Sequence, residues 1–532
     1  MCRCVRNRYG VRAEYIPCDC SHRASLRCRK GVGGLVRQRL IVTGAVAAVL
    51  ALTVPASAAD GPSPGAPGAG DSYYPDYGNG GYDVSHYDLR LKYQPKTDEL
   101  SGTTTVLARA EQDLSRFNLD FALDVKEVHV NGRKAKVSAT GSHELEITPA
   151  EPLKKGERFS VVVRYSGVPS EVEVGGYTSW QRTPDGGVAA NEPESAWWWY
   201  PSNDHPSDKA TFDISIAVPK GYKSLSNGDL VSEEPAGGGW TRSNWRSGQP
   251  QATYLATMAV GKFDVTKSKT ESGIPVVNAY SESLGDEDGS ARASIERTAE
   301  ITDWLETVFG KYPFSSVGGY VPATGAGFAL ETQTRPFYGN ARFKKGTDVS
   351  VVVHELAHQW YGDSVSVRKW RDIWLNEGFA SYASWLWSEK EGEGTAQEIA
   401  SEVYESYPAN DPFWKVSPGD PGAENQFHGA VYDRGAMALQ ALRNKIGDKD
   451  FFKILEGWQT ERKGGNARVE DFIEYSEKVS GKSLSSLFDT WLYKTSKPKK
   501  PALGGEVNAT NGKQDRPKSW DEIQAVHGAH RH

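Results

Sequence analysis

Cysteine is scarce in this 532-residue sequence, and its distribution is uneven. The five cysteines all precede residue 29, at Cys2, Cys4, Cys18, Cys20 and Cys28. The rest of the chain therefore needs no disulfide bonds to fold, and enzymes with a thiolate nucleophile are excluded. An excess of basic residues is also lacking, because the formal net charge is −6. This argues against a nucleic-acid-binding protein, which needs a basic face.

Long hydrophobic runs are lacking as well. The apolar run Leu40–Val54 has 15 residues, whereas a membrane-spanning helix needs ~20. Arg37 and Arg39 precede this run and Ala56-Ser57-Ala58 follow it, a pattern typical of a cleaved secretory signal. We therefore expect a secreted, extracellular protein without stable membrane association after cleavage. An uncleaved membrane anchor is the alternative.

Composition divides the chain into five segments. Residues 1–58 form a leader and secretory signal, in which we expect translation to begin downstream of the cysteines, and residues 59–80 form a Gly/Pro-rich linker. Residues 81–267 contain short alternating runs such as YDVSHYDLRLKY, which predict an antiparallel β domain. In residues 268–497 helical spacing dominates, as in ASIERTAEITDWLETVFG. Residues 498–532 predict a flexible tail.

The stretch VVVHELAHQW, residues 351–360, carries a metal-type pattern. His354 and His358 are four apart, so they lie on one face of a helix predicted over residues 348–361. Two imidazoles placed in this way can bind a single zinc ion. Glu355 lies beside them, where it can contact activated water rather than the metal. The alternative is a core helix whose histidines are satisfied by backbone groups.

A third ligand follows in the stretch WLNEGFASY, where eighteen residues separate HELAH from Glu377. Asp372 is expected to cap a second helix, antiparallel to the first, that brings Glu377 to the histidines. The sequence therefore predicts one Zn²⁺ per chain, with three protein ligands and an open fourth position. Glu355 is the expected general base, and a further group must stabilise the oxyanion.

The combination of HELAHQWYGD and WLNEGFASY resembles the aminopeptidase N family of zinc gluzincins, which includes leukotriene A4 hydrolase. GKYPFSSVGGYVP and TYLATMAVGKFD are similar to other signatures of that family, so the resemblance covers roughly residues 80 to 496. It implies a multidomain α+β fold. An N-terminal antiparallel β-sandwich or saddle domain is followed by a thermolysin-like, mostly helical zinc-peptidase domain. Because the firm pattern ends near Ser496, the likeness is to the short, two-domain members.

The resemblance also implies three further site residues. Tyr432, in VYDRGAMALQALR, matches the oxyanion tyrosine, with Arg434 in place of a lysine. Glu331, in FALETQTRPFYG, matches the glutamate that binds the substrate amine, although Phe328 and Thr332 replace the Gly and Asn of that motif. Glu192, in AANEPESAWWWYPSND, matches a second amine contact.

These features together predict a secreted zinc-dependent aminopeptidase. Its expected substrates are peptides with a free N-terminus, and no nucleic-acid partner is expected. A zinc endopeptidase and a non-catalytic peptide-binding relative are the alternatives. The preferred N-terminal residue does not follow from the sequence.

Overall fold

The computed structural model describes residues 61–174, 178–499 and 516–528. The predicted leader and secretory signal, residues 1–58, lie outside the described residues. Among the residues that are described, no helix combines the length and the apolar character needed to cross a membrane.

The first part of the described chain consists mainly of strands. They are β1 Ser63–Pro64, β2 Tyr82–Gln94, β3 Glu99–Ala110, β4 Leu114–Asp120, β5 Asp124–Val130, β6 Arg133–Lys134, β7 Lys136–Thr140, β8 Glu144–Thr148, β9 Arg158–Gly167, β10 Trp180–Thr183, β11 Gly186–Ala189, β12 Ala210–Pro219, β13 Lys223–Ser226, β14 Asp229–Pro235, β15 Trp240–Gln251, β16 Met258–Gly261, β17 Phe263–Lys269 and β18 Pro275–Ser281.

Most of these strands form one large sheet packed against a smaller one. The large sheet has eight strands in the order β14-β15-β12-β2-β3-β9-β5-β6, and β1-β4-β8-β7 form a sheet of four. Strand β2 shows the expected alternation, because Leu89 and Leu91 are buried while Arg90 is exposed. The two sheets meet in an aromatic core, where the rings of Phe117 and Phe159 lie 5.3 Å apart.

The second part of the described chain is mostly helical. Its elements are α1 Asp288–Ile295, α2 Thr298–Phe309, β19 Val317–Val321, β20 Ala329–Leu330, β21 Phe337–Tyr338, α3 Val349–Ala357, β22 Ser366–Val367, α4 Trp374–Glu391, α5 Ala396–Ser406, α6 Gly435–Ile446, α7 Asp448–Arg462, β23 Asn466–Ala467, α8 Val469–Ser480, α9 Ser485–Phe488 and α10 Trp520–Gly528.

Helix α4 is the centre of this helical part, since its first fifteen residues are buried and it packs against α3 and α6. A five-stranded sheet in the order β17-β18-β19-β21-β20 lies beside the helices, with β20 at its edge. Strand β17 spans the predicted boundary at 267/268 and pairs with β18. The predicted α+β class, a β-rich region followed by a mostly helical one, is confirmed.

The β-rich and helical parts share side chains where they meet. Leu330 and Tyr320 come from the five-stranded sheet but pack in the core of the β-rich part. Tyr254 and Leu255 follow β15 but pack in the core of the helical part. This joint lies directly beside Glu331, so it places residues from both parts at one site.

Residues 61–80, which we call the N-terminal strap, contact both parts of the structure. Strand β1 pairs with β4. The Asp71 carboxylate accepts a hydrogen bond from the Trp370 N–H at 2.8 Å and lies 3.1 Å from Nε2 of His205. The Tyr74 hydroxyl donates to Gln426 at 2.8 Å. The Gly/Pro-rich segment predicted as a linker is therefore held by specific contacts.

The described C-terminal residues differ from the predicted flexible tail. Residues 516–528 include α10, which packs against α3. Trp520 is 7% exposed and Ile523 is 1% exposed, so this segment is anchored by apolar burial. The Lys518 N–H also donates to the Glu393 carbonyl at 2.7 Å. Residues 500–515 and 529–532 of the predicted tail lie outside the described residues.

Candidate metal centre and active site

Helix α3 places both sequence-predicted histidines at its C-terminal end. Asp348 caps the helix, because its side chain accepts a hydrogen bond from the Val351 N–H at 3.0 Å. Val351, Val352 and Val353 follow, and all three are fully buried. His354 lies in the last turn and His358 at the C-cap, and their ring centroids are 4.8 Å apart. The i, i+4 spacing thus puts two imidazoles side by side in the protein interior.

Glu377 joins the two histidines from the first turn of α4. Its Oε2 lies 3.2 Å from Nε2 of His354 and 3.5 Å from Nε2 of His358. The prediction that Asp372 caps this helix is wrong. Ile373 occupies the N-cap position, and Asp372 instead accepts a hydrogen bond from the Val469 N–H at 3.2 Å, which ties α8 to the start of α4.

The geometry of these three residues fits a zinc ion. Their ligand atoms all lie within 4.8 Å of one another. A tetrahedral ion with bonds of ~2.0–2.1 Å separates its ligands by about 3.3 Å, close to the two distances from Oε2. Burial raises the pKa of Glu377, but His358 and His354 outweigh that effect and lower it below the ordinary value. His354, His358 and Glu377, which we call the metal trio, can therefore supply two imidazole nitrogens and an ionised carboxylate.

The orientation of His358 is set by its other ring nitrogen. Nδ1 lies 3.0 Å from the Tyr361 carbonyl oxygen, which can only accept a hydrogen bond. Nδ1 therefore carries a proton, and Nε2 is the ring nitrogen that faces Glu377 and is left to bind a metal. A backbone carbonyl that fixes the tautomer of a ligating histidine is a common arrangement in metal sites.

Glu355 lies beside the metal trio without belonging to it. Ligand-type atoms of Glu355, Glu331 and His358 lie within 4.8 Å of one another. Its Oε1 is buried and accepts no hydrogen bond from the described residues. Burial raises the pKa of Glu355 well above the ordinary value, His358 opposes that rise, and Glu331 and Glu377 add to it. This carboxylate is therefore placed and tuned to accept a proton.

Tyr432 reaches the same site from the π-helical turn Ala430–Arg434, which leads into α6. Its ring is fully buried and stacks on His354, with centroids 6.0 Å apart and an angle of 19° between the planes. Burial raises the pKa of Tyr432, and the charges of Glu377 and Glu192 raise it further. The hydroxyl therefore stays protonated and remains a hydrogen-bond donor.

Two glycines allow the turn that carries Tyr432 to approach α4. A Cβ atom on Gly378 would lie 2.4 Å from the Trp374 indole nitrogen and 3.3 Å from the backbone of Gly435. Arg434, adjacent to Gly435, is buried and donates to the carbonyl oxygens of Val416, Trp414, Thr490 and Lys494. The arginine therefore holds the turn by hydrogen bonding to neighbouring backbone.

Glu331 follows directly after the edge strand β20 and is 2% exposed. Its Oε1 accepts a hydrogen bond from the Tyr254 hydroxyl at 3.1 Å. Its backbone carbonyl accepts from the Gln359 side chain at 3.0 Å, so a residue just after the HELAH motif fixes its position. The structure thus brings Glu331 to Glu355 and the metal trio.

Glu192 enters from the β-rich part, in the connection that follows β11. Its Oε1 is buried and accepts no hydrogen bond from the described residues. Burial raises the pKa of Glu192 well above the ordinary value, and the charges of Glu331 and Glu377 raise it further. All seven sequence-predicted residues therefore lie in one cluster, which we call the active-site cluster.

Two family models match the chain. The Peptidase M1 N-terminal domain matches residues 84–255, and the Peptidase family M1 domain matches residues 338–491, which hold the metal trio, Glu355 and Tyr432. Together they span more than half of the sequence.

The chain belongs to the M1 peptidase family.

Solved structures agree with this assignment. A mutant M1 zinc metallopeptidase from Deinococcus radiodurans, bound to a Tyr-Ser-Ala substrate, is 28% identical with a TM-score of 0.72. The match covers 80% of this chain and 97% of that one. A two-domain M1 zinc metallopeptidase bound to L-arginine is also 28% identical, with a TM-score of 0.70 and the same coverage. The expected likeness to the aminopeptidase N family and to its two-domain form is confirmed.

Curated relatives of this M1 peptidase are longer proteins. The glutamyl aminopeptidase of Bos taurus is 30% identical over 321 residues, which cover 57% of this chain and 33% of the relative. The glutamyl aminopeptidase of Rattus norvegicus is 26% identical over 472 residues, which cover 81% of this chain and 48% of the relative. The chain thus spans between a third and a half of the relatives it matches.

Several residues that shape this M1 site were not predicted from the sequence. Tyr254 hydrogen-bonds to Glu331, Gln359 fixes the backbone of Glu331, and the carbonyl of Tyr361 orients His358. Gln359 and Tyr361 follow HELAH by one and three residues, so their closeness in the sequence could have predicted that they lie at the site. Tyr254 had none, because it lies 77 residues from its partner.

Proposed function

We propose that this M1 peptidase is a secreted, zinc-dependent aminopeptidase that removes the N-terminal residue from peptides with a free amino terminus. The observation that carries the proposal is the position of Glu331 and Glu192. These two glutamates lie near the metal trio, one from each part of the structure, and the charges of Glu331 and Glu377 act on Glu192. A carboxylate pair of this kind is suited to a positively charged α-amine.

The charge of this group of side chains supports the assignment. Four glutamates (Glu192, Glu331, Glu355 and Glu377) surround two histidines, and no lysine or arginine of the described residues forms an ion pair with any of them. Buried carboxylates are costly unless they are paired with a cation or protonated. A zinc ion offsets part of this negative charge, and a substrate ammonium group next to Glu331 and Glu192 offsets more.

His354, His358 and Glu377 would hold the zinc ion, which would supply a Lewis acid to polarise a carbonyl oxygen and to make water nucleophilic near neutral pH. Glu355 accepts the proton of the attacking water at Oε1 and donates it to the departing amine. The Tyr432 hydroxyl donates a hydrogen bond to the oxyanion as charge develops. Because Glu331 and Glu192 hold the amine, they place the first peptide bond of the substrate beside these groups.

Hydrolysis of matched substrates tests the proposal. Aminoacyl-anilides with a free amine should be cleaved, and their N-acetylated forms should be cleaved at least about 100-fold more slowly, since an unpaired buried carboxylate is costly. A chelator should abolish turnover and zinc should restore it. Glu331→Gln should raise KM for the free-amine substrates more than it lowers kcat.

Two results would redirect the assignment. Equal cleavage of free and acetylated substrates would identify a zinc endopeptidase. No turnover by protein that contains zinc would identify a non-catalytic peptide-binding relative. Secretion has its own test: the protein recovered from the culture medium should begin at Ala59 or Asp60.

A further inference from the structure

A second group of metal-type side chains lies in the β-rich part, on elements that the active site does not use. Asp120 ends β4 and Glu144 begins β8, and the two residues are paired across the antiparallel ladder. His143 directly precedes Glu144. The ligand-type atoms of these three residues lie within 4.8 Å of one another, the same limit that the metal trio meets.

Asp120 has one oxygen that is satisfied and one that is not. The residue is 0% exposed. Its Oδ2 accepts hydrogen bonds from the Asp204 N–H at 2.7 Å and from the Asn79 side-chain amide at 3.2 Å. Its Oδ1 accepts none from the described residues and faces Nε2 of His143 at 3.8 Å. A buried carboxylate oxygen without a donor requires an explanation, and a bound cation shared with the imidazole is one.

Glu144 repeats this arrangement from the neighbouring strand. Its Oε2 accepts a hydrogen bond from the Asn118 side-chain amide at 2.7 Å. Its Oε1 is buried and has no partner among the described residues. Asp120 and Glu144 therefore each keep one oxygen fixed by a donor and direct the other into the same small space.

His143 can complete the set with a ring nitrogen. Its Nδ1 lies 2.9 Å from the Ser142 hydroxyl, which can accept the Nδ1 proton and leave a lone pair on Nε2. Nε2 also lies 3.0 Å from the carbonyl oxygen of Asp76 in the N-terminal strap. The Asp76 carbonyl can only accept a hydrogen bond, so without an ion Nε2 carries the ring proton and donates it to that oxygen. A cation would take the place of this proton, with the ring proton moved to Nδ1 and accepted by Ser142, and it would then bind the Nε2 lone pair and the carbonyl oxygen.

The surroundings supply no other positive charge. Asp204 is also buried, and its carboxylate accepts a hydrogen bond from the Thr253 hydroxyl. Among the described residues, no lysine or arginine forms an ion pair with Asp120, Glu144 or Asp204. Buried carboxylates in proteins are generally paired or coordinated to a metal.

We propose that Asp120, His143 and Glu144 bind a divalent transition-metal cation such as Zn²⁺ or Mn²⁺, with the Asp76 carbonyl oxygen as a fourth ligand. An imidazole with two carboxylates suits these ions. Ca²⁺ prefers six to eight oxygen ligands, so it fits this set less well. The site is distinct from the metal trio, and it does not depend on the function proposed above.

The position of this site gives the cation a structural role. Asp76 and Asn79 belong to the N-terminal strap, whereas Asp120 and Glu144 lie on the small sheet of the β-rich part. A bound ion fastens the strap to the sheet. Because the ion binds the folded chain and not the unfolded one, it raises the temperature of unfolding with increasing metal concentration.

Metal content of the full chain tests the proposal. Chelator-treated protein is dialysed in separate samples against low concentrations of Zn²⁺, Mn²⁺ or Ca²⁺ and analysed by elemental mass spectrometry. Wild type should retain one equivalent more than Asp120→Asn and one more than Glu144→Gln. His358→Ala should also lose one equivalent, and the double variant with Asp120→Asn should lose two.

Controls separate the site from other sources of metal binding. Glu146→Gln changes a carboxylate on the same strand that pairs with Arg116 at 2.8 Å, and its metal content should equal that of wild type. His527, His530 and His532 are unchanged in every variant, so adventitious binding to them cancels in the differences. Glu144→Gln retains an oxygen that can accept the hydrogen bond from Asn118. It therefore tests the site by itself if Asp120→Asn does not fold.

Two outcomes would overturn the proposal. Equal metal content in wild type, Asp120→Asn and Glu144→Gln would mean that His143 donates its Nε2 proton to Asp76 and that no ion is bound. If this site took up Ca²⁺ but neither Zn²⁺ nor Mn²⁺, its ligands would be oxygen atoms alone, and His143 would not be one of them.

Discussion

At the scale of single residues, Glu355 separates proton transfer from metal binding. It lies beside the metal trio, but its Oε1 accepts no hydrogen bond from the described residues. Glu355→Gln should therefore keep the metal and lower kcat by about 10²–10⁴-fold, the usual contribution of a positioned general base. Steady-state kinetics combined with zinc analysis measure both effects.

A matched variant makes that result interpretable. Glu377→Gln removes the carboxylate of the metal trio, so it should lose zinc and activity together. Full activity of Glu355→Gln with zinc bound would show that another group accepts the proton, and loss of zinc would place Glu355 among the ligands.

The residues of this site differ in how far the sequence could predict them. His354, His358 and Glu355 lie within five positions, so helical geometry alone places them together. Tyr432 and Glu331 could be assigned only through a family resemblance, because their distance from the histidines depends on tertiary packing. Tyr254 could not be predicted, since a tyrosine that follows a β-strand gives no local sign of a glutamate partner 77 residues away.

At the scale of elements, the contact between α4 and the start of α6 sets the distance from Glu377 to Tyr432. Gly378→Ala would place a methyl group 2.4 Å from the buried Trp374 indole and 3.3 Å from the Gly435 backbone. The Trp374 indole, which also lies against Gly435, must then shift and change the contact between the two elements. We expect a loss of about 1–3 kcal/mol in unfolding free energy, as for other overpacked cores, and a lower kcat.

Gly289→Ala is the control for helix propensity. Gly289 lies in α1, and a Cβ atom there meets nothing within 4 Å. This variant should be as stable as wild type or up to ~1 kcal/mol more stable, with unchanged kinetics. Denaturant unfolding and kinetics on both variants measure the difference. A Gly378→Ala protein with wild-type kcat would show that the spacing of α4 and α6 tolerates change.

Local sequence patterns predicted the presence of helices better than the residues at which the helices begin and end. Helix α3 falls within the predicted range 348–361, since capping and apolar spacing are encoded in adjacent residues. The start of α4 was mispredicted at Asp372, because that side chain is used by the backbone of α8, almost a hundred residues later. A local capping signal cannot reveal such a distant competitor.

At the scale of the whole molecule, the N-terminal strap shows where composition misleads. Its many Gly and Pro residues are typical of a linker, yet polar groups tie it to both parts of the structure. Asp71 accepts hydrogen bonds from the backbone of Trp370 and Tyr73 and pairs with His205, so it joins the helical and β-rich parts. Such polar anchoring leaves no hydrophobic periodicity in the sequence.

Asp71 should therefore contribute to stability in a pH-dependent way. Burial raises the pKa of Asp71, but the hydrogen bonds from His205, Trp370 and Tyr73 outweigh burial and lower it below the usual value of 3.8. The titratable groups facing it are His205 and Tyr73, and Lys369 donates to the adjacent Gly70 carbonyl. A lowered pKa means that the folded state favours the ionised form, so the stabilisation is present above pH 3.8 and is lost as the pH falls through the folded-state value.

Asp71→Asn removes this charge while nearly preserving the shape of the side chain. We expect it to lower the unfolding free energy by about 2–4 kcal/mol near pH 7, because hydrogen bonds to a buried charge are lost. The gap between wild type and variant in urea unfolding should shrink below pH 3.8, where wild-type Asp71 also becomes protonated. Asp124→Asn, at a side chain that is 82% exposed, should change stability by less than ~0.5 kcal/mol. A gap that stays constant down to pH 3 would mean that Asp71 stabilises the strap through its shape and not through its charge.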